Sequence, residues 1–212
     1  MKIEIWSDVV CPFCYIGKKR IESVIKKYDG YEKFEIIWKS FQLNPNQQTQ
    51  PELNSLKHLS EAKGWSMDQT KQIINNVCEI GSICEIKFEF EKSKVANSLN
   101  AHKLLHLAKK KNVQNEMKER LFHAYFTDGI NIDDIEKLIE ISNSFGISRE
   151  DCMLALNNSE ILKEIHSDFS EAQEIGIRGV PYFVFDRKYA VSGAQEETIF
   201  ENVIQEILKE RV

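Results

Sequence analysis

The sequence has few of the residues and patterns that mark several large protein classes. Its 212 residues include only five cysteines, four prolines and nine glycines. Five cysteines are too few for the disulfide scaffold of a small secreted domain, and an odd number cannot all be paired within the chain. No internal repeat or low-complexity tract is present. The remaining composition, 42% hydrophobic and 29% charged, is that of a globular chain that can bury one substantial core or two small ones.

Charge and hydropathy argue against two kinds of partner. The formal net charge is −5, and basic and acidic residues are mixed along the chain, which does not predict a nucleic-acid-binding surface. No apolar run approaches the roughly 20 residues that a membrane-spanning helix needs. The N-terminus does not have the basic and apolar regions of a secretory signal. We therefore expect a cytoplasmic protein with neither nucleic acid nor membrane as a partner.

The order of secondary-structure patterns predicts an α/β fold with a large insertion. The first forty residues read as strand, helix and strand, the second strand over residues 33–43. From Pro51 to about Gly176, apolar residues recur at helical spacing. Two strands then return, joined by a predicted turn at Asp186-Arg187 and followed by an amphipathic helix. We interpret residues 1–50 and 177–212 as one domain and 51–176 as an inserted all-helical subdomain, whose last helix packs on the sheet.

Two cysteines separated by Pro-Phe lie where the first strand gives way to the first helix, in SDVVCPFCYIG. Pro12 suits the first helical position, so Cys11 would lie at the positive end of the helix dipole, which favours thiolate over thiol. Cys14 would lie one turn further in, close enough to attack a mixed disulfide on Cys11. A nucleophile with a resolving thiol three residues on is sufficient for thiol–disulfide exchange.

Two other interpretations of the cysteine pair remain open. A zinc site would use the pair as half of a four-ligand set, with Cys78 and Cys84 as the other half. Their spacing is unusual for zinc, and no second C-x-x-C accompanies them. Two buried structural cysteines are the other alternative, which a proline between them at a strand-to-helix turn disfavours. We expect no metal.

A proline stands directly before an apolar strand near the other end of the chain, in IRGVPYFVF. Proline cannot donate to a sheet ladder, so Pro181 belongs at the start or edge of that strand. An ordinary trans proline would fit this position on its own. Combined with a C-x-x-C beside a βαβ pattern, which is typical of thioredoxin-like redox proteins, Pro181 strengthens the redox interpretation.

Five segments together resemble the DsbA-like thioredoxin family, specifically its FrnE-like branch. They are SDVVCPFCYIG, FQLNP, NAHKLLHLA, FHAYFTDGINIDD and GIRGVPYFVFDRKYAVSGAQ, and they extend over essentially the whole chain. The resemblance implies a thioredoxin fold with an inserted helical subdomain. It also implies thiol–disulfide oxidoreductase activity on protein or small-molecule thiols and disulfides. The protein could also form a homodimer.

The resemblance assigns roles to individual residues. Cys11 would be the nucleophile, Cys14 the resolving thiol and Pro181 a cis proline facing them. Substrate contacts would come from Pro12, Phe13 and Val180. The only redox group would be the disulfide itself, without a bound cofactor, although glutathione could act as a co-substrate.

A related branch gives an alternative function. Glutathione-dependent isomerases and kappa-class transferases share the fold, and they usually carry Ser at the nucleophile position. Cysteine at both positions here favours a protein dithiol. His102 and Asn100 lie on a helix that faces the dithiol in the resembling proteins, so both are candidate substrate contacts. His102 could also donate a proton, although a packed or solvent-facing histidine is the simpler interpretation.

One residue departs from DsbA itself, which has His where this chain has Phe13. An apolar side chain cannot supply the cation that helps acidify the DsbA thiol, so we expect a less acidic Cys11 and a less oxidising couple.

Cys78 and Cys84 form a candidate second redox pair. A continuous helix would hold residues six apart beyond disulfide reach, with a rise of about 9 Å between them. A helix end at Gly81 would be needed to bring them together. Cys152 lies in an apolar helical stretch and is interpreted as core.

Overall fold

The strands of the protein form two sheets. The computed structural model describes residues 1–28, 30 and 34–211. Its strands are β1 (Lys2–Ser7), β2 (Glu35–Ser40), β3 (Gln50–Asn54), β4 (Lys94–Val95), β5 (Tyr182–Phe185) and β6 (Tyr189–Ser192). The predicted start of the second strand at Lys33 lies outside the described residues.

Helices make up most of the described chain, and most of them lie between β2 and β5. The helices are α1 (Pro12–Lys26), α2 (Ser55–Lys63), α3 (Met67–Ile83), α4 (Leu99–Lys110), α5 (Gln114–Phe126), α6 (Ile135–Asn143), α7 (Arg149–Leu156), α8 (Ser159–Glu174) and α9 (Glu197–Glu210). Among the residues that the structure describes, no helix is long and apolar enough to cross a membrane.

The main sheet joins the two ends of the sequence, in the order β2-β1-β5-β6. Strand β1 runs parallel to β2 and antiparallel to β5. The β5–β6 hairpin turns at Asp186 and Arg187, both with positive φ, and Phe185 pairs with Tyr189, so Lys188 also belongs to the loop. The predicted position of the turn is thus confirmed, although the loop has three residues and not two. The mixed sheet places β1, which leads into the dithiol, at the centre.

Alternating side chains of β1 divide the packing between the two faces of the sheet. Ile3 and Ile5 enter a core with α1 and α9 that includes Phe183, Phe185 and Phe200. Trp6 points to the opposite face and packs with Ala172 of α8, and its indole N–H donates to the Asp168 carbonyl at 2.9 Å. Burial on both faces holds the end of β1 in place.

Local sequence signals position the helices between β2 and β5. Ser66 and Gln69 form a reciprocal capping box at the start of α3. The Ser148 hydroxyl accepts the Asp151 N–H at the start of α7 at 3.1 Å. Apolar faces of α3 to α8 share one core with residues around Cys14 and Tyr15. The helical segment is therefore packed directly against the N-terminus of α1.

The segment expected to be all helical also contains the second sheet. Strands β3 and β4 pair antiparallel, with an irregularity between Gln50 and Asn54. Neither strand shows apolar alternation, because β3 is largely exposed and contains Pro51 and β4 has two residues. Pattern reading therefore could not detect them.

Candidate active site

Cys11 and Cys14 lie where β1 gives way to α1. Cys11 is the N-cap of α1, with extended backbone at φ −97° and ψ 112°, and Pro12 follows at the start of the helix. The Cys14 N–H donates to the Cys11 carbonyl at 3.1 Å, and the Cys14 thiol lies near enough to shift the pKa of the Cys11 thiol. Cys11 is 4% exposed and Cys14 is fully buried. The strand-to-helix turn thus brings both sulfurs to the positive end of α1.

Opposing effects act on the acidity of the Cys11 thiol. Interaction with the neighbouring Cys14 thiol, followed by burial, raises the pKa of Cys11 well above the ordinary value. The Asp8 carboxylate adds to this rise, because it repels a thiolate. The free N–H groups of the α1 N-terminus act the other way. Since two adjacent thiolates repel each other, the pair gives up one proton far more readily than two.

The loop before β5 faces the cysteine pair. The Cys11 sulfhydryl donates to the Val180 carbonyl oxygen at 3.6 Å, and the Val180–Pro181 peptide bond is cis. The Pro181 carbonyl accepts the Gly193 N–H at 2.8 Å. A Cβ at Gly17 of α1 would approach the Pro181 ring to 3.1 Å, so a glycine here lets α1 pack closely on this loop. The Val180 backbone is thereby held against Cys11.

A buried carboxylate and imidazole lie behind the turn. Asp8 accepts the Leu43 N–H at 2.7 Å and contacts His102 Nε2 at 3.3 Å. Burial acts to raise the pKa of Asp8, but the hydrogen bonds that Asp8 accepts from His102 and the Leu43 N–H outweigh it, so the pKa lies below its ordinary value. Burial lowers the pKa of His102 despite Asp8. At neutral pH we assign a charged Asp8 and a neutral His102, with the Nε2–H donating.

Lys118 of α5 lies on the inner side of the same turn. Its side chain is 0% exposed, and its Nζ lies 4.8 Å from the centre of the Phe122 ring. Phe122 stacks on Tyr15, the residue after Cys14, with ring centres 4.8 Å apart. Burial lowers the pKa of Lys118 to about 8, against the attraction of Cys14, Asp8 and Cys11. We refer to Asp8, Cys11, Cys14, His102 and Lys118 as the dithiol cluster.

A cavity of about 650 Å³ opens beside Cys11. Pro12, Phe13 and Val180 line it at the dithiol, and Phe13 is 43% exposed. The far walls are largely apolar and come from α2, α3 and the segment before α4; they include Leu56, Leu59, Trp65, Ile73, Ile74, Val77 and Phe90. An apolar concavity with a few polar groups is the usual form of a small-molecule site.

The family model described as the DSBA-like thioredoxin domain matches residues 2–205. This chain belongs to that family. The uncharacterized protein YwbO of Bacillus subtilis (strain 168) is 29% identical over 210 residues, which are 99% of this chain and 98% of YwbO. The predicted DsbA-like thioredoxin fold is confirmed.

Two solved structures extend the comparison. A probable DsbA oxidoreductase from Streptomyces coelicolor superposes with a TM-score of 0.92 at 29% identity, over 100% of this chain and 92% of that one. The cytosolic disulfide reductase DsbM from Pseudomonas aeruginosa superposes with a TM-score of 0.71 at 13% identity, over 99% of both chains. A second DsbM structure contains glutathione. The DsbM likeness is one of fold.

Asn100 and His102 do not share a location. His102 belongs to the dithiol cluster and lies behind Asp8. The Asn100 side chain instead donates to Asp133 Oδ1 at 2.8 Å, away from the lining of the 650 Å³ cavity. The predicted substrate contact of Asn100 stays a prediction without support from this position, because the helical turn that directs His102 inward directs Asn100 toward the loop before α6.

The remaining cysteines lie on helices. Helix α3 continues through Gly81 to Ile83, with Cys84 as its C-cap, so the helix end on which a Cys78–Cys84 pairing depended is not at Gly81. Cys152 is buried and accepts the Ser142 hydroxyl at 3.5 Å. Across the described part of the chain all five cysteines are free thiols, and no group of three or more His, Cys, Asp or Glu side chains is arranged to hold a metal ion.

Sequence reasoning missed two members of the dithiol cluster. Asp8 stands three residues before Cys11 in an otherwise apolar segment, which is a weak signal for a buried carboxylate. Lys118 interrupts the apolar stripe of α5 formed with Leu121, Phe122 and Tyr125 at helical spacing. A lysine on the apolar stripe of a helix was the available signal, but nothing in the pattern says which charges it meets.

Proposed function

We propose that this protein is a thiol–disulfide oxidoreductase in which Cys11 is the nucleophile and Cys14 the resolving thiol. The observation that carries the proposal is the pair of thiols at the N-terminus of α1, of which Cys11 is the N-cap and donates to the Val180 carbonyl at 3.6 Å. Cys152, in contrast, is enclosed by Ser142 and the helical core. Family membership supports the same chemistry. Of the five cysteines, Cys11 has both a partner thiol and a cavity beside it.

The reaction follows from the order of the two thiols. The Cys11 thiolate attacks a substrate disulfide and forms a mixed disulfide, and one substrate thiolate leaves. Cys14 then loses its proton and attacks the Cys11 sulfur. The Cys11–Cys14 disulfide forms and the second substrate thiolate leaves, so the two substrate thiolates together hold the two electrons that the cysteines gave up. Run backward, the same steps oxidise a dithiol.

The cavity beside Cys11 is the proposed substrate site. Pro12, Phe13 and Val180 would contact the atoms next to the reacting sulfur, and the apolar walls would hold the rest of the molecule. The Val180 carbonyl accepts from the Cys11 thiol in the resting protein, and it would be released to the substrate once Cys11 is in a mixed disulfide. Pro181 would hold Val180 in this position.

Net reduction of disulfides in the cytosol is the proposed direction. The cysteine pair carries no neighbouring cation in its exposed part, since Phe13 is apolar, and a less acidic thiol makes a less oxidising couple. DsbM, which has this fold, is a cytosolic disulfide reductase, and one of its structures contains glutathione. Glutathione is accordingly the proposed co-substrate that returns the disulfide to the dithiol.

Three serine variants test the proposal. Cys11→Ser should abolish glutathione-dependent reduction of a model disulfide, whereas Cys14→Ser should accumulate a mixed disulfide on Cys11, seen by mass spectrometry of the intact protein. Cys152→Ser is the matched control and should keep the full rate. A Cys11→Ser protein with unchanged turnover would overturn the proposal.

A glutathione-dependent isomerase or transferase remains the second candidate, because the 650 Å³ cavity could hold a small molecule beside a bound thiol. In that function glutathione, and not the protein, supplies the reacting sulfur. Glutathione binding together with isomerisation of a small molecule by Cys14→Ser, and no disulfide turnover by the intact protein, would favour it.

A further inference from the structure

Lys118 is a buried cation without a hydrogen-bond partner. Its Nζ is shielded from solvent, and no described residue accepts a hydrogen bond from it. The aromatic faces of Trp38 and Phe122, 5.3 Å and 4.8 Å from Nζ to the ring centres, are its nearest stabilising groups. Removing an ammonium from water costs several kcal/mol unless opposite charge compensates for it. A nearby negative charge is therefore needed to stabilise the ammonium of Lys118.

Two other shielded lysines are compensated by direct ion pairs. Lys18 Nζ lies 2.7 Å from Glu22 and 2.8 Å from Glu119. Lys39 Nζ lies 2.9 Å from Asp168 and 3.0 Å from Glu171, and it also stands over the Trp6 ring. Lys118 differs because the groups that attract it are themselves titratable or redox-active.

The charged and titratable groups that act on Lys118 lie on α1, on the turn before α1 and on α4. The three that attract its proton are Cys14, Asp8 and Cys11, while Lys18 and the His102 imidazole disfavour a further charge. Asp8 is already engaged by the Leu43 N–H and His102. The Asp8 carboxylate thus has two hydrogen-bond donors of its own and attracts Lys118 in both redox states, whereas a thiolate adds its attraction only in the reduced state.

We propose that the buried ammonium of Lys118 is the counter-charge of the reduced dithiol, and that its proton is released when the dithiol is oxidised. The inference rests on the proposed dithiol chemistry. Lys118 would stabilise the thiolate by its charge and without direct contact, and we assign it no contact with the substrate. Lys118 would supply, from the buried side of the dithiol, the positive charge that the apolar Phe13 cannot supply from the exposed side.

The proton balance follows directly. The reduced protein holds one thiolate, one thiol and the Lys118 ammonium. Oxidation by a substrate disulfide removes two electrons, forms the Cys11–Cys14 bond and frees the proton of the thiol. The thiolate charge is then gone, so the ammonium loses the largest of the attractions that retained its proton, keeps that of Asp8, and becomes a neutral amine. Two protons leave with two electrons, where one would leave if Lys118 kept its charge.

The lysine titration of the intact protein tests this release directly. With lysine labelled at Cε, NMR would follow each ammonium from pH 6 to 11 in the reduced and the disulfide state. The Lys118 signal should titrate at lower pH in the disulfide state, while Lys39 should titrate alike in both. Identical Lys118 curves in the two states would overturn the inference.

Substitution gives a second measurement. Lys118→Met removes the charge and keeps an unbranched side chain, so we expect about a tenfold smaller thiolate fraction at pH 7, read from the 240 nm absorbance of the reduced protein. Lys118→Arg should retain most of the thiolate, and Lys39→Met should leave it unchanged while lowering stability. An unchanged thiolate fraction in Lys118→Met would contradict the inference.

These outcomes separate the inference from the proposed function. A Lys118→Met protein with wild-type thiolate fraction that still forms the Cys11–Cys14 disulfide would remove only the role of Lys118. An intact protein that never forms that disulfide would remove the function, while the reduced-state absorbance would still test the counter-charge.

Discussion

Helix α4 carries two buried histidines one turn apart, and they belong to two different polar clusters. His102 faces the dithiol cluster. His106 faces a second group, which we call the α8 cluster, made of Lys39, Ser40, His106, Glu164 and Asp168. There His106 contacts Asp168 at 3.3 Å, the Ser40 hydroxyl at 3.1 Å and Glu164 at 3.0 Å. The same helix therefore contributes to two clusters, which differ in how many of their buried polar atoms have hydrogen-bond partners.

The clusters differ in how far their hydrogen bonds are satisfied. Asp168 accepts from the Ser40 N–H and from Lys39, and no described atom of the α8 cluster is buried without a partner. In the dithiol cluster, His102 Nδ1 and Lys118 Nζ both lack one. A satisfied buried network fixes packing, whereas an unsatisfied one costs stability and needs another reason to exist. We assign the α8 cluster to stability and the dithiol cluster to chemistry.

Removing Asp168 should have the largest effect on stability. Asp168→Ala leaves the buried His106 and the half-buried Lys39 without their shared carboxylate, which should cost about 3–5 kcal/mol in the free energy of unfolding, measured by urea denaturation. The rate of disulfide exchange by the folded protein should not change. Asp151→Ala is the matched control, because its ion pair with Lys111 is exposed and should contribute no more than about 1 kcal/mol. Equal losses in both variants would refute the assignment.

The α8 cluster also predicts an acid-sensitive stability. Burial acts to raise the pKa of Asp168, but His106, the Ser40 N–H and Lys39 outweigh it, so its pKa is lowered. A carboxyl group with a lowered folded pKa stabilises the protein above its unfolded value of about 3.9, and this contribution is lost as pH falls toward the folded value. Urea midpoints from pH 6 to pH 2 should therefore fall steeply at the acid end in the intact protein and less in Asp168→Asn. Parallel curves would exclude Asp168 as a source.

The two histidines provide the sharpest matched comparison. His106→Leu leaves Asp168 and Ser40 short of a partner, so it should lower stability more than His102→Leu, with little effect on exchange. His102→Leu should cost about 1–3 kcal/mol through Asp8. It should also slow disulfide exchange about 10- to 100-fold, because Asp8 orients the turn before Cys11. The ratio of turnover rates at equal folded concentration checks this, and a reversed order would break the distinction between the clusters.

Phe13→His should change stability least and still alter the chemistry. Phe13 is 43% exposed, so replacing it should alter the free energy of unfolding by about 0.5 kcal/mol or less. A cationic imidazole beside Cys11 should raise the thiolate fraction and make the couple more oxidising. The equilibrium with reduced and oxidised glutathione measures this shift. If the potential of Phe13→His equals that of the intact protein, residue 13 does not set the acidity.

The sequence was informative where chemistry is encoded in neighbouring residues. The C-x-x-C at a strand-to-helix turn, the proline before β5 and the Ser66 cap each depend on a few consecutive positions. The partners of His102 and Lys118 depend on how α4 and α5 pack against α1, which local patterns do not encode. For the same reason the second sheet was missed, and the hydrogen bond of Asn100 with Asp133 could not be predicted.

The most direct test is a redox titration of the intact protein against glutathione, with peptide mapping at each potential. We predict one two-electron transition confined to a Cys11–Cys14 disulfide, with Cys78, Cys84 and Cys152 reduced throughout. A protein in which Cys11 and Cys14 stay unlinked at every potential would contradict the proposed dithiol chemistry.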